Sequence, residues 1–399
     1  MCAFVTEANL GSGVNVIRSL AKRGITVTAG DISKIAGGFW SKYCTNRILY
    51  PDPHFEDKFI KAIIKAQEIF DFDVIYGMSD STIRPIVRYK SELENNGIIV
   101  PAPDYDIFLK MCDKYTTYEV AQKVGVPYPN TIKPDDEKEA LQFSNENGFP
   151  IVVKARDLTG GRGILYTRNK EEFLTAYRYI KHLLGVNPVI QDYIPGRRNV
   201  FSVPVIFDGN NEVVASLVMR KIRESPVSGG AATFAETVSF PLLEKYTIKL
   251  LKSIGWYGIA TAEFKLDPRD NVPKLMEVNP RFFGYINLAI WAGIDLPYIL
   301  YKVAKNEKVN KKNLYKKLSF SRLIHDLYAV YKELIESNIS YTNRKNIINY
   351  FIYSYKKEKV IFDYLSLNDP LPFISSILCI LGREMGNIKK PYEQIQKKW

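Results

Sequence analysis

The stretch PIVVKARDLTGGRGILYTR, residues 150–168, constrains the fold most, because its glycine-rich turn joins two runs of strand-forming residues. Glycines let backbone N–H groups approach an anion closely where no side chain intervenes. A phosphate loop of the GxxxxGK[ST] kind runs from a strand into a helix, with its lysine at the end. Here Lys154 precedes the glycines, and the chain returns into a second strand. A protein-kinase loop places its glycines a whole strand ahead of the lysine and needs HRDxxxxN and DFG downstream. This chain offers only Ile324-His325-Asp326. What is left is Lys154 at a strand end, facing anions under a flexible lid of Thr159, Gly160, Gly161, Arg162 and Gly163.

The flanking pattern divides the chain. Residues 1–105 alternate strands (CAFVT, ITVTAGD, DVIYGM, GIIVP) with amphipathic helices (VNVIRSLAKRG, FEDKFIKAIIKAQEIF), which predicts an open α/β domain with a parallel sheet. Its first turn, Gly11-Ser12-Gly13-Val14-Asn15-Val16, is an incomplete dinucleotide fingerprint followed by Asp31. That leaves a nicotinamide-dependent oxidoreductase as an alternative, although a sharp turn explains both glycines equally well. Residues 106–305 change to α+β organisation. A helix with Asn169 as its N-cap is expected after the glycine loop. Two hairpins follow: VFSVPVIF–DGNN–EVVASLVMRKI, then GIATAEFKLD–PRDN–VPKLMEVN.

In the second hairpin Glu277 and Asn279 stand at i and i+2 of a strand, so their side chains leave one face. Two oxygen donors beside phosphates suit Mg²⁺, and Glu263 in the partner strand can add a carboxylate. The competing reading is an acidic solvated face. Arg281, just past the turn, can grip a phosphate oxygen through its planar fork. VIQDYIPG, residues 189–196, reads either as an adenine-holding hinge or as an ordinary interdomain turn.

Taken in order, Asp113-Lys114, VVKARDLTGGRG, QDYIPG and the pair AEFKLD/MEVNPRFFG resemble the ATP-grasp superfamily, most of all the carbamoyl-phosphate-synthase-like carboxylate–amine ligases. The segments RKIRESPVSGGAATFAETV and PKLMEVNPRFFGYINLAIWAGIDLPYILY carry the same likeness, which covers residues 1 to about 305. The resemblance implies an α/β plus α+β chain: a Rossmann-like pre-ATP-grasp domain, two subdomains clasping ATP, and a basic, mainly helical extension over 306–399. It implies that Lys114 and Lys154 bind the α- and β-phosphates, with the loop 159–163 closing over them. Gln191 and Ile194 would meet adenine through their backbones, with Asp192 and Tyr193 in the same hinge. Glu263, Glu277 and Asn279 would hold Mg²⁺ (or Mn²⁺). One departure is that Arg197-Arg198-Asn199 stands where many relatives carry a ribose-binding Glu. The implied reaction moves the γ-phosphoryl group to a carboxylate, and an amine or similar nitrogen then displaces phosphate. Arg220 and Arg223 are expected as anchors for the carboxylate and transition state, with Arg281 beside them, and Ser228 to Thr233 as a second substrate loop or a plain turn. A chain that kept the nucleotide clasp but lost ligation is the contrasting class; the complete set Glu263, Glu277 and Asn279 favours the enzyme.

Composition bounds what remains. The four cysteines and three histidines are scattered without zinc-ligand spacing, and no signal peptide or spanning-length apolar run is evident, so a cytoplasmic protein is expected. Residues 301–399 hold 19 Lys and Arg against 9 Asp and Glu, and so carry ten of the chain's twelve net positive charges. Three readings compete for this region: a solvated helical appendage, a peripheral element at an anionic membrane surface, and, least favoured for want of any recognition motif, a nucleic-acid contact.

Overall fold

The computed structural model describes residues 1–156, 163–196, 198–225, 230–311, 314–335, 341–357 and 359–377. Sixteen strands in these residues form three sheets. The first contains β1 (Cys2–Val5), β2 (Thr26–Asp31), β3 (Asn46–Leu49) and β4 (Val74–Tyr76), all parallel in the order β3-β2-β1-β4. The turns that follow β1 and β4 therefore leave from the same, carboxyl, edge of the sheet.

The second sheet is small and antiparallel: β5 (Thr131–Ile132), β6 (Ile151–Lys154), β7 (Ile164–Thr167) and β8 (Val189–Asp192), in the order β5-β8-β6-β7. It packs on helices Glu137–Asn147 and Lys170–Leu184 around its own core of Phe143, Phe173, Tyr177, Ile151, Val153 and Ile190. The second helix starts where the sequence places it. The Asn169 side chain accepts from the Glu172 N–H at 2.9 Å, and Gly185, at φ 68°, ends the helix.

The third sheet comprises β9 (Val200–Phe207), β10 (Val213–Ser216), β11 (Val218–Ser225), β12 (Ala231–Val238), β13 (Gly258–Asp267), β14 (Val272–Asn279), β15 (Ser319–Ser321) and β16 (Val360–Phe362). Its order is β14-β13-β9-β11-β12-β15-β16, with β10 also on β9. The run EVVASLVMRKI, expected as one strand, is split at Leu217 into β10 and β11, both paired antiparallel with β9. Two large apolar cores each join the first sheet to the third, so these two share their hydrophobic interior while the second keeps its own.

The C-terminal region is more than a helical appendage. Its β15 pairs antiparallel with β12, and β16 pairs parallel with β15, extending the main sheet. The segment after β16 then reaches the residues that follow β1 and β2. Arg18 donates from Nε to Asp369 Oδ2 at 2.8 Å, Ser41 donates to the same oxygen at 2.7 Å, and Asn15 donates to Asp363 Oδ1 at 2.9 Å. Among the described residues no helix is long and apolar enough to cross a membrane.

These contacts also overturn the dinucleotide alternative. A Cβ at Gly11 would lie 2.6 Å from Asp363 Oδ2, so the chain's own carboxylate occupies the start of helix Gly11–Lys22, where a pyrophosphate would sit. Asp31 is likewise engaged, accepting from the N–H groups of Asn9 and Ser33 at 2.9 and 2.8 Å. A Cβ at Gly13 would stand 2.6 Å from the Glu7 carbonyl oxygen, a backbone atom that cannot swing away. Gly13→Ala is therefore expected to destabilise the fold by about 1–3 kcal/mol, read as a lowered midpoint in urea denaturation.

Candidate functional site

Lys114 opens helix Lys114–Lys123, whose N-cap Asp113 accepts from the Thr116 N–H at 2.9 Å. Arg156, two residues beyond β6, fastens that helix to the small sheet. Its guanidinium pairs with Asp113 Oδ2 at 2.7 Å, and its carbonyl accepts from the Lys114 N–H at 3.1 Å. Lys154 is the last residue of β6 and is buried, and its ammonium donates to Gln191 Oε1 at 2.5 Å. Burial, with the Lys114 charge second, brings the Lys154 pKa down to about 7, against a smaller upward pull from Glu277.

The opposite wall is the β13–β14 hairpin, whose register sets Glu263 directly across from Glu277. Asn279 donates to Glu277 Oε1 at 3.1 Å, confirming that the two share a face. Burial alone would push Glu277 up. Lys114, the Asn279 hydrogen bond, Lys221 and Lys154 together hold it below the usual carboxylate range, hence ionised. Burial raises Glu263, while Lys221 pulls against that rise from 2.8 Å. Lys114, Lys154, Lys221, Glu263 and Glu277 thus form one electrostatic cluster.

Lys221 stands in the same basic strand end as Arg220 and Arg223, but only those two arginines are expected as anchors from the sequence. Burial acts to strip its proton, but Glu263 and Glu224 outweigh that and keep the ammonium charged, well above its ordinary pKa. Strand parity would put residues 221 and 223 on one face. The β11–β12 pairing instead shifts between Lys221↔Ala235 and Arg223↔Phe234, a bulge at Ile222 that separates them. Arg223 is consequently not a substrate anchor. It is buried in a two-pronged pair with Asp326 at 2.8 and 2.7 Å, it donates to Ser354 at 3.0 Å, and it stacks on Phe234. Arg220 is partly exposed and is held by the cross-strand Glu236, with Nε at 2.9 Å.

Arg281 bridges to the helix that follows β4. Its Nε donates to Asp80 Oδ2 at 2.8 Å, and another nitrogen donates to Asn279 Oδ1 at 3.2 Å. Asp80 begins helix Asp80–Arg88 after β4, beside the Ser79 and Thr82 hydroxyls that donate to the Glu7 carboxylate at 2.7 and 2.9 Å. The carboxyl edge of the first sheet therefore faces the β14 turn. Glu7 and Asp80 carried no recognisable motif.

In the hinge, Gln191 departs from expectation. It is wholly buried in the middle of the small sheet, between Thr131 and Val152, where its amide supports Lys154. The Ile194 carbonyl accepts from Lys265 at 2.7 Å, and Tyr193 packs edge-on to Tyr166 with that same ammonium over its ring. Asp192 lies 3.6 Å from Arg269. Gly163, at φ 68°, accepts from the Ala155 N–H at 2.7 Å. Thr159, Gly160, Gly161 and Arg162, like Ser228 and Gly229, lie outside the described residues.

Among the described residues no three His, Cys, Asp or Glu side chains gather tightly enough to enclose a metal by themselves. The donors present are two carboxylates and an amide oxygen. That set fits Mg²⁺, which binds through one or two carboxylates and takes its remaining ligands from water and substrate phosphates.

Residues 113–312 match the family described as carbamoyl-phosphate synthase L chain, ATP binding domain. The chain belongs to that family. It is 25% identical over 227 residues to the D-aspartate ligase of Enterococcus faecium, covering 52% of this chain and 53% of that protein. Its fold is similar to biotin carboxylase from Campylobacter jejuni, with a TM-score of 0.66 and 21% identity, covering 77% of this chain and 71% of that one. It is also similar to N5-carboxyaminoimidazole synthetase from Staphylococcus aureus, with a TM-score of 0.66 and 16% identity, covering 84% and 86%. The fold is that of the ATP-grasp superfamily. The chain spans about half or less of the length of the curated relatives it matches.

Because Arg223 neutralises a wholly buried carboxylate, Arg223→Met is expected to cost about 3–5 kcal/mol. Adding Asp326→Leu should recover much of that loss, and chemical denaturation of the single and double variants measures both.

Proposed function

We propose that the protein is an ATP-dependent ligase. It would activate a substrate carboxylate as an acyl phosphate and join it to an amine or similar nitrogen, releasing ADP and phosphate. The observation that carries this reading is the meeting of buried Lys114 and Lys154 with Glu263 and Glu277 in one electrostatic cluster shared by the small sheet and the β13–β14 hairpin. A polyphosphate placed there meets two ammonium groups at one end, and carboxylates suited to its divalent counter-ion at the other.

The chain's own contribution is positioning and charge. Lys114 and Lys154 would hold the α- and β-phosphates, with Gln191 fixing the direction of the second amine. Glu277, Glu263 and Asn279 would hold Mg²⁺, which when bound screens the charge gathering on the transferred group. Lys221 would stay protonated at the carboxylate end of the cluster, where a transferring phosphoryl group needs a cation. Arg281 would present its guanidinium to the carboxylate substrate from between Asn279 and Asp80. Residues 159–163 would cover the phosphates, so that water does not hydrolyse the acyl phosphate before the amine arrives. The turns after β1 and β4 would form the remaining wall, and substrate choice would then rest with residues 1–105.

ADP release against pools of small carboxylates and amines tests this reading. Substrate-dependent release should fall about 10²-fold or more in Glu277→Gln, with an unchanged melting temperature. Nucleotide binding with no release against any pool would assign the protein to the non-ligating class instead. A second expectation comes from Lys154, which is largely neutral above its pKa of about 7. Phosphates favour the ammonium, so nucleotide binding about one pH unit above that value should take up a proton, and one unit below it should not. Calorimetry in buffers of different ionisation enthalpy reads the uptake, which Lys154→Met should remove.

A further inference from the structure

Helix Leu323–Ile335 is amphipathic the wrong way round for a helix packed on a soluble core. Its buried residues are Asp326, Ala329 and Val330. Asp326 is held by Arg223, and it also accepts from Thr233 Oγ1 at 2.8 Å and from the Tyr355 hydroxyl at 3.0 Å. The outward positions, one face at i, i+1, i+4, i+5, i+8 and i+12, are Leu323, Ile324, Leu327, Tyr328, Tyr331 and Ile335, each 37% to 56% exposed. A buried ion pair anchors the helix while its apolar stripe faces outward. Six large apolar side chains on one exposed helical face mark an interaction surface, not ordinary scatter.

The neighbouring helix Tyr341–Lys357 repeats the arrangement. Ser354 and Tyr355 turn inward to Arg223 and Asp326, whereas Ile348, Ile352 and Tyr353 are exposed, together with Arg344, Lys345 and Lys356. The acidic residues of this region do not offset that charge. Of the four in the described segments between 314 and 377, Asp326, Asp363 and Asp369 are buried in ion pairs with Arg223, Arg322 and Arg18. The region therefore turns apolar, tyrosine-bearing and basic residues outward and buries three of its four described carboxylates, leaving only Glu333 partly exposed.

We infer that the face formed by helices Leu323–Ile335 and Tyr341–Lys357 docks on an anionic lipid surface. Leucine and isoleucine enter the headgroup–acyl boundary, tyrosines take the interface where a ring with a polar tip is at home, and lysines and arginines meet anionic headgroups. A second copy of the chain is a poorer occupant, since two-fold pairing would set the same basic face against itself. The inference is independent of the proposed ligation, because none of its outward residues enters the cleft cluster.

Co-sedimentation of the full chain with phosphatidylcholine vesicles, and with mixed phosphatidylcholine–phosphatidylserine vesicles, tests it. Binding to the mixed vesicles at low salt, weaker at high salt and absent from phosphatidylcholine alone, is expected. Leu327→Asp with Tyr331→Asp, and separately Arg344→Glu with Lys345→Glu, should each lower the bound fraction by about tenfold or more. All four positions are solvent-facing, and an unchanged melting temperature will show the fold retained. No sedimentation with mixed vesicles at low salt overturns the inference, as does binding that neither pair of substitutions weakens. A concentration-dependent dimer, abolished by Leu327→Asp with Tyr331→Asp in a protein that ignores vesicles, would give the face to a second copy and overturn it equally.

Discussion

Burying ammonium and carboxylate groups together is the constraint around which this molecule is arranged. Charges removed from water are costly unless they are paired with good geometry, and breaking one partner strands the other. Each member of the cleft cluster is accordingly fixed by something with no chemistry of its own. The Asp113 cap and Arg156 seat Lys114, the Gln191 amide steadies Lys154, and Glu224 shares Lys221 with Glu263. The β13–β14 register does the rest by setting Glu263 opposite Glu277.

The division of the hydrophobic interior adds a mechanical meaning. The cluster is split between the small sheet with its private core, which carries Lys154, and the large sheet, which carries both glutamates. The large sheet shares two cores with the first sheet, and Arg281 bound to Asp80 ties their facing edges. A unit with its own core is the one that can shift as a body while the remainder stays intact. The nucleotide phosphates would then lie where the two bodies meet.

Much of this was legible in the residues. Strand parity placed Glu277 and Asn279 on one face, Asn169 announced its helix, and the lysine ahead of the glycines ruled out the common phosphate loops. What escaped notice involved either bulges or contacts remote in sequence. A single extra residue at Ile222 turned Lys221 into the cleft and Arg223 toward the C-terminal helices, and nothing in MRKIRE signals that insertion. Arg223 looked like a substrate ligand because its partner, Asp326, lies 103 residues away. Gln191 sat in a motif that suggests a hinge, yet pairing on both sides drew it into the sheet interior. The C-terminal region read as helical because its two strands are three residues each, too short to show periodicity.

The carboxylate of Asp363 at the head of the first helix has a consequence for how the chain is made. Residues 11–22 are synthesised well before the side chain that meets Asn15 and crowds Gly11, which follows 348 positions after Asn15. At about 5–20 residues per second, that helix spends tens of seconds in the nascent chain without its partner. During that interval the Asn15 amide must find its hydrogen bonds elsewhere, because the carboxylate that accepts from it has not yet been made.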